Sequence, residues 1–124
     1  MKKLFTILGF LFTVSAFAQN SDAVVNALKE GSAVKFSSYF NSNLDVKMPD
    51  KKEMKNISKE EAALAVSSFF SSNNINGFEV SSQRELGGTM YITGKLKGAS
   101  QNYNITVMLK NKDNDLMIIT VRIN

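Results

Sequence analysis

The stretch YFNSNLDVKMPDKK, residues 39–52, marks the point where the sequence changes from a helical pattern to a strand pattern. Between residues 44 and 48, apolar and polar side chains alternate. A period of two is typical of a strand that buries one face. Pro49-Asp50 then predicts the turn that ends the strand. The junction therefore predicts the first strand of a sheet, placed directly after helical segments.

Two helical segments are predicted before this strand. Ser21 or Asp22 is suited to cap the first, apolar residues recur after it with helical spacing, and Gly31 ends it. A second, turn-rich segment begins at a Ser32 cap and is predicted to end at the asparagines of residues 41–43. The chain thus enters the sheet from a pair of short helices.

A third helix is predicted from Ser58-Lys59-Glu60-Glu61, which fits the capping box with serine at the N-cap and glutamate three residues later. The apolar side chains that follow at i, i+4, i+7 and i+8 are Ala62, Val66, Phe69 and Phe70. This spacing is typical of a helix face that packs on a sheet. Asn73-Asn74 is predicted to close the helix.

The rest of the chain indicates strands separated by short turns. The predicted strands cover residues 53–57, 77–86, 89–97, 103–109 and 116–123, in addition to the strand at 44–48. The last of them is apolar on both faces near its middle, which is typical of a central strand. We therefore predict an α+β domain with two or three N-terminal helices packed on a curved, mostly antiparallel sheet of five or six strands.

The N-terminus carries the pattern of a secretory signal. Two lysines precede an apolar run over residues 4–17, and Ser15-Ala16-Phe17-Ala18 places small residues at the −3 and −1 positions of an A-x-A type of cleavage site. We predict a signal peptide at 1–18 and one domain at 19–124. The apolar run is shorter than the about 20 residues that span a bilayer, so no membrane span is expected after cleavage. The predicted location is periplasmic or secreted.

The composition excludes several kinds of chemistry. The chain has no histidine and no cysteine, so Ser-His-Asp and Cys-His catalysis and the usual zinc ligand sets are absent. We predict no cofactor and no metal. The 15 basic and 11 acidic residues are interspersed rather than arranged in a basic stripe, so no nucleic-acid partner is expected.

Two short strings match functional motifs but favour structural roles. Ser32-Ala33-Val34-Lys35 fits the S-x-x-K string of penicillin-recognising enzymes, without their S-D-N and K-T-G elements. Residues 111–115 place oxygen-bearing side chains at positions 1, 3 and 5, as a calcium loop does. Positions 6 and 12 hold Leu116 and Arg122, where such a loop needs glycine and glutamate. We expect a helix cap and a polar hairpin tip.

The predicted order of elements resembles the NTF2-like (cystatin-like) cone. More narrowly, residues 27–73 and the closing GKLKGASQNYNITVMLKNKDNDLMIITVRIN are similar to the DUF4783 family of small exported Bacteroidetes proteins. The resemblance covers nearly all of the mature chain, and its markers are a helix end, a strand and a Phe-Phe helix rather than a catalytic signature. It implies a pocket between sheet and helices, in a family whose function is undefined.

One function that fits these features is a non-catalytic, exported binding module that holds an unknown small or extended ligand in the cone. The candidate ligand-binding residues are Phe36, Tyr39, Phe70, Tyr91 and Arg122. The aromatic side chains at helical spacing would either line the mouth of the pocket or fill the core. Tyr91 and Arg122 would contact an anionic or glycan ligand if they face the interior of the cone.

Two other functions stay open. A homodimer formed through the outer face of the sheet is motivated by the apolar strand 116–123. An isomerase or dehydratase of the ketosteroid-isomerase type would need an aspartate base beside a tyrosine, which would be Tyr39, Tyr91 or Tyr103. Asp45 is the candidate, but it alternates with Leu44 and Val46 and should face away from the apolar side, whereas such a base depends on burial. We therefore predict that the chain is not an enzyme.

Overall fold

Three helices lie against a six-stranded sheet in the part of the chain that the structure describes, residues 21–124. In this computed structural model, α1 covers residues 21–29, α2 covers Ala33–Ser37 and α3 covers Lys59–Ser72. The strands are β1 Phe40–Lys47, β2 Met54–Ser58, β3 Gly77–Leu86, β4 Thr89–Lys97, β5 Asn102–Lys112 and β6 Asp115–Ile123. The predicted signal peptide lies outside the described residues. Over residues 21–124, no helix has the length and apolar character needed to cross a bilayer.

The strand order is β2-β1-β6-β5-β4-β3, so the last strand of the chain lies inside the sheet. β6 pairs with β1 in parallel and with β5 antiparallel, and the other neighbouring strands are antiparallel. Val121 is paired with Val46 on one side and Val107 on the other, and all three side chains are fully buried. The prediction of a mostly antiparallel sheet with a central final strand is confirmed.

The serine caps predicted from the sequence are confirmed. The hydroxyl oxygen of Ser32 accepts a hydrogen bond from the Lys35 amide at 3.1 Å, and that of Ser58 accepts one from the Glu61 amide at 3.1 Å. Each bond satisfies an amide group that a helix leaves unpaired at its N-terminus. Gly31 ends α1 with a φ of +68°, and a Cβ there would lie 2.6 Å from the Ile75 carbonyl oxygen. Both the backbone conformation and the space require glycine.

The junction between α2 and β1 differs from the sequence prediction. β1 begins at Phe40 and contains Asn41 and Asn43, so the prediction that these asparagines end a helical segment is wrong. Phe40 pairs with Ile118, but the register with β6 shifts before Asp45. This irregularity hides the strand, because the alternation of buried and exposed side chains becomes regular only after the shift.

The last hairpin is tighter than the predicted loop at residues 111–115. β5 continues to Lys112 and β6 begins at Asp115, which leaves Asp113-Asn114 as the turn, with φ values of 50° and 68°. Asp and Asn tolerate this left-handed conformation, which suits a two-residue hairpin connection. The polar hairpin tip expected from the sequence is therefore present, in a shorter form.

The core lies between the helices and the side of the sheet that faces them. Ala62, Val66 and Phe70 of α3 are buried, as their spacing predicts. The ring of Phe70 stacks on that of Phe36, with centroids 6.3 Å apart, and Phe36 meets Phe40 edge-on at 5.3 Å. Aromatic pairs of this kind add about 0.5–1.5 kcal/mol each beyond the burial of their area. Much of the cone interior is thus filled by side chains of the protein itself.

Candidate functional site

Two of the five residues predicted to bind a ligand lie inside the core. Phe36 is 0% exposed and Phe70 is 4% exposed. Tyr39 is half-buried and packs against the same core. For Phe36 and Phe70, the structure therefore favours the alternative that the sequence left open, in which they fill the core and do not line a pocket mouth.

Tyr91 lies on the other side of the sheet. Ile92 and its partner Val107 are fully buried on the side that faces the helices. Because successive side chains of a strand point to opposite faces, Tyr91 and its partner Met108 belong to the outer face, where both are half-buried.

Arg122 also lies on the outer face, for a reason that the sequence conceals. The register between β5 and β6 moves from Met108–Thr120 to Leu109–Ile118, so Ile119 is an extra residue, a β-bulge. The bulge changes which residues share a face, and Arg122 becomes exposed. The five predicted residues are thus divided between the two sides of the sheet and do not form one surface.

An open cleft runs along the side of α3. Its first part has a volume of about 590 Å³ and lies between α3, the turn that joins β1 to β2, and the start of β5. A second part, of about 450 Å³, shares Pro49, Asp50, Gln101 and Tyr103 with the first and continues to Lys47 and Asn102 at the ends of their strands. We call the two parts together the α3 cleft.

A chain of hydrogen bonds crosses the floor of the α3 cleft. The side-chain amide of Gln101 donates to the Tyr103 hydroxyl at 2.7 Å, and this hydroxyl donates to the Asn73 side-chain oxygen at 2.8 Å. The side-chain amide nitrogen of Asn73 in turn donates to the Phe69 carbonyl at 2.9 Å. The rings of Phe69 and Tyr103 meet edge-on, with centroids 4.9 Å apart. These contacts tie the start of β5 to the C-terminal end of α3.

The turn between β4 and β5 is seated against the end of α3. The Ala99 amide donates to the Asn73 carbonyl at 3.2 Å, and a Cβ at Gly98 would lie 2.6 Å from the Gln101 carbonyl oxygen and 3.0 Å from that of Asn73. Only glycine allows so close an approach of two backbone segments. The segment that carries Gln101 and Tyr103, on the floor of the cleft, is therefore held in place by backbone as well as side-chain contacts.

The opposite wall of the cleft is the turn between β1 and β2. The Lys51 amide donates to the Met48 carbonyl at 3.3 Å, and the Lys47 ammonium donates to the same carbonyl at 2.7 Å. Glu53 lies 3.3 Å from Arg122 in an ion pair that links this segment to β6. Two preformed walls thus define the cleft, as is usual for small-molecule sites.

Sequence reasoning did not identify this site. The sequence predicts Asn73 only as a helix end, and Tyr103 as a strand residue and as one of three tyrosines that an isomerase could pair with Asp45. The contact between Asn73 and Tyr103 joins positions 30 residues apart, and no local spacing encodes it. The single signal in the sequence is Gly98, which indicates a turn but does not reveal the helix end beneath it.

The fold and the cleft define the class of protein. Three helices on a curved, mostly antiparallel six-stranded sheet form the NTF2-like (cystatin-like) α+β fold, as predicted. Residues 21–124 match the sequence profile of DUF4783, described as a domain of unknown function, and the chain belongs to that family. The resemblance seen in the sequence is confirmed.

Solved structures of the same family are similar over most of the chain. A DUF4783 family protein from Bacteroides ovatus ATCC 8483 is 27% identical, with a TM-score of 0.76, over 82% of this chain and 90% of its own. Another, from Bacteroides uniformis ATCC 8492, is 23% identical, with a TM-score of 0.76, over 83% and 94%. An NTF-2 like protein of unknown function from Shewanella oneidensis MR-1 shares the fold at 13% identity, with a TM-score of 0.61, over 90% and 98%. No curated protein matches the chain.

Proposed function

We propose that this protein is a non-catalytic binding module that holds a small or extended ligand in the α3 cleft. The observation that carries the proposal is the Gln101–Tyr103–Asn73 hydrogen-bond chain on the floor of the cleft, next to the apolar side chains that border its part beside α3. Apolar walls with a few fixed polar groups are the usual composition of ligand sites. The signal pattern at residues 1–18 supports export as the setting in which the ligand is met.

The absence of catalysis is part of the proposal and is supported by the acidic side chains. All eleven lie in the described part of the chain, and none is buried there. Asp45, the base that an isomerase would require, is half-buried and accepts a hydrogen bond from the Asn56 amide at 2.8 Å. Asp50 borders the cleft with Tyr103 but is exposed. A ketosteroid-isomerase type of site depends instead on carboxyl groups in a water-excluded environment.

Native mass spectrometry tests the proposal. The mature protein, purified from the periplasm or medium of its own organism, should carry a bound molecule. Ser68→Phe would place a ring in the cleft, whereas Ser67→Phe, at the neighbouring exposed serine that borders a different groove, is the matched control. We expect the bound molecule to be lost from Ser68→Phe and retained by Ser67→Phe. Equal retention by both variants would contradict a ligand in this cleft.

A homodimer formed through the outer face of the sheet is the second candidate. Tyr91 and Met108 lie opposite each other on β4 and β5 and are only half-buried, so their apolar surface is available on that face. Size-exclusion chromatography with light scattering would show twice the mass of the chain if this function holds. Met108→Lys should then restore the monomer, because like charges would face each other across a symmetric interface.

A further inference from the structure

The α3 cleft changes its chemical character along its length. Its part beside α3 is bordered by the apolar side chains Met48, Met54, Leu64, Ala65 and Phe69. The part at the strand ends is bordered mainly by polar groups, which include Lys47 and Asn102. Tyr103 and Gln101 belong to both parts and mark the boundary between them. A ligand that fills the whole cleft would therefore need one apolar and one polar end.

The polar end of the cleft holds a positioned cation. Lys47 is half-buried, and its ammonium donates to the Met48 carbonyl at 2.7 Å, which uses one of its three N–H donors. Asp50, which borders both parts of the cleft, adds one carboxylate, and Lys51, which borders the part beside α3, adds a second, exposed ammonium. Over the two parts of the cleft together, the charged side chains therefore sum to +1. This excess favours a ligand with an anionic group over a neutral or cationic one.

The apolar end is suited to a flexible chain. Two of its side chains are methionines, which adapt to irregular shapes without a strong rotamer preference. Leu64, on the rim of the same wall, is 73% exposed. An alkyl chain that covers this side chain would remove apolar surface from water, which favours binding. The opening to solvent along α3 leaves room for chains of different length.

We infer that the ligand is an anionic amphiphile, an unbranched alkyl carboxylate that lays its chain along α3 and places its carboxylate at Lys47. This inference rests on the proposed function and names the chemistry of the ligand for the same cleft. The inference follows from the order of the groups along the cleft. The apolar wall lies beside α3, the side chains of Gln101 and Tyr103 follow, and the ammonium of Lys47 lies at the far end. Each added methylene that enters the apolar part should tighten binding by up to about fourfold, the effect of removing one CH₂ from water.

Titrations with matched probes test the inference. Decanoate, decanol and decyltrimethylammonium share one chain and differ in head charge, and octanoate shortens the chain. Isothermal titration and amide NMR shifts would report affinity and location. We expect decanoate to bind about tenfold or more tightly than decanol, because the hydroxyl of the alcohol carries no negative charge and makes a weaker hydrogen bond with the ammonium than a carboxylate does. Octanoate should bind more weakly than decanoate, and decyltrimethylammonium should bind worst.

Lys47→Met separates the role of the ammonium from that of general surface charge. It should lower decanoate affinity to that of decanol and leave decanol affinity unchanged. Lys95→Met, at an exposed lysine of β4, removes the same charge from the outer face of the sheet and should change neither. Equal affinities for decanoate and decanol, or equal effects of the two lysine variants, would overturn the inference.

Failure of the inference is distinguishable from failure of the proposed function. If no alkyl probe shifts the cleft amides while a different molecule is lost from Ser68→Phe in native mass spectrometry, the amphiphile is wrong and the binding module stands. If the bound molecule is retained by Ser68→Phe and no probe shifts the cleft amides, both the amphiphile inference and the proposed binding function are wrong.

Discussion

The hydroxyl of Tyr103 donates a hydrogen bond to the side-chain oxygen of Asn73 at 2.8 Å, and this bond fastens the start of β5 to the end of α3. It lies at the centre of the candidate site, because both residues border the α3 cleft. The contact closes one end of the domain and fixes the position of the cleft floor.

Tyr103→Phe should therefore reduce both stability and order at the cleft. The substitution keeps the ring contact with Phe69 but leaves the half-buried Asn73 oxygen without its donor. We expect a loss of about 1 kcal/mol in the free energy of unfolding, measured by urea denaturation. Tyr91→Phe, on the outer face of the sheet, is the control and should change stability by less than about 0.5 kcal/mol. Identical midpoints for Tyr103→Phe and the unmodified protein would show that the bond contributes nothing.

Phe70→Ala should be the most damaging of the substitutions considered for α3. It removes a ring that is 4% exposed and stacked on Phe36, and a cavity would remain in its place. A loss of about 3–5 kcal/mol is expected, which is a large share of the stability of a domain of this size. Leu64→Ala, on the same helix but 73% exposed, should have little effect in the same denaturant titration. Comparable losses for the two variants would contradict the assignment of Phe70 to the core.

Gly94→Ala tests the close packing between β3 and β4. A Cβ at Gly94 would clash with the backbone carbonyl oxygen of Glu79 and lie 2.6 Å from a ring carbon of Phe78, so both the backbone of β3 and the buried ring would have to move. Overpacking of this kind costs about 1–3 kcal/mol. At Gly77, a Cβ would meet the Lys97 side chain at an ordinary 3.6 Å, which makes Gly77→Ala the matched control. We expect Gly94→Ala to lower Tm by several degrees more than Gly77→Ala, and a reversed order would refute the packing argument.

Ser58→Ala tests the cap of α3. The substitution removes the acceptor of the Glu61 amide bond at 3.1 Å, and the expected loss is about 1 kcal/mol. Ser67→Ala, at an exposed position within the same helix, is expected to be neutral or slightly stabilising, because alanine has the higher helix propensity. Thermal unfolding followed by circular dichroism would rank the two, and a neutral Ser58→Ala would rule out a stabilising cap.

The irregular positions of the sheet show where sequence reasoning reaches its limit. The alternation of residues 116–123 places Ile118, Thr120 and Arg122 on one face, but the bulge at Ile119 moves Arg122 to the outer face. The early part of β1 was missed for a similar reason, since its register with β6 shifts before Asp45. A register shift depends on the partner strand, so a pattern read along one strand does not contain it.

The α3 cleft was beyond the sequence for a related reason. Its floor combines the helix end Asn73 with Gln101, which directly precedes β5, and Tyr103 of β5, and its opposite wall is a turn near Pro49. Each of these elements was predicted as an element, but their approach to one another was not. Most of the residues that were predicted to bind a ligand are aromatic, and two of them, Phe36 and Phe70, are buried in the core.

The amino-acid sequence alone determined the features that rest on contacts between near neighbours: the serine caps, the apolar stripe of α3, the alternation of most strands and the glycine turns. These are encoded locally because helix and strand periods and capping bonds involve residues only a few positions apart. Tertiary structure alone decided which face each side chain of β6 joins and which distant polar groups meet at Tyr103. Those outcomes depend on how separate elements dock, and docking is set by the packing of the whole core rather than by any one segment.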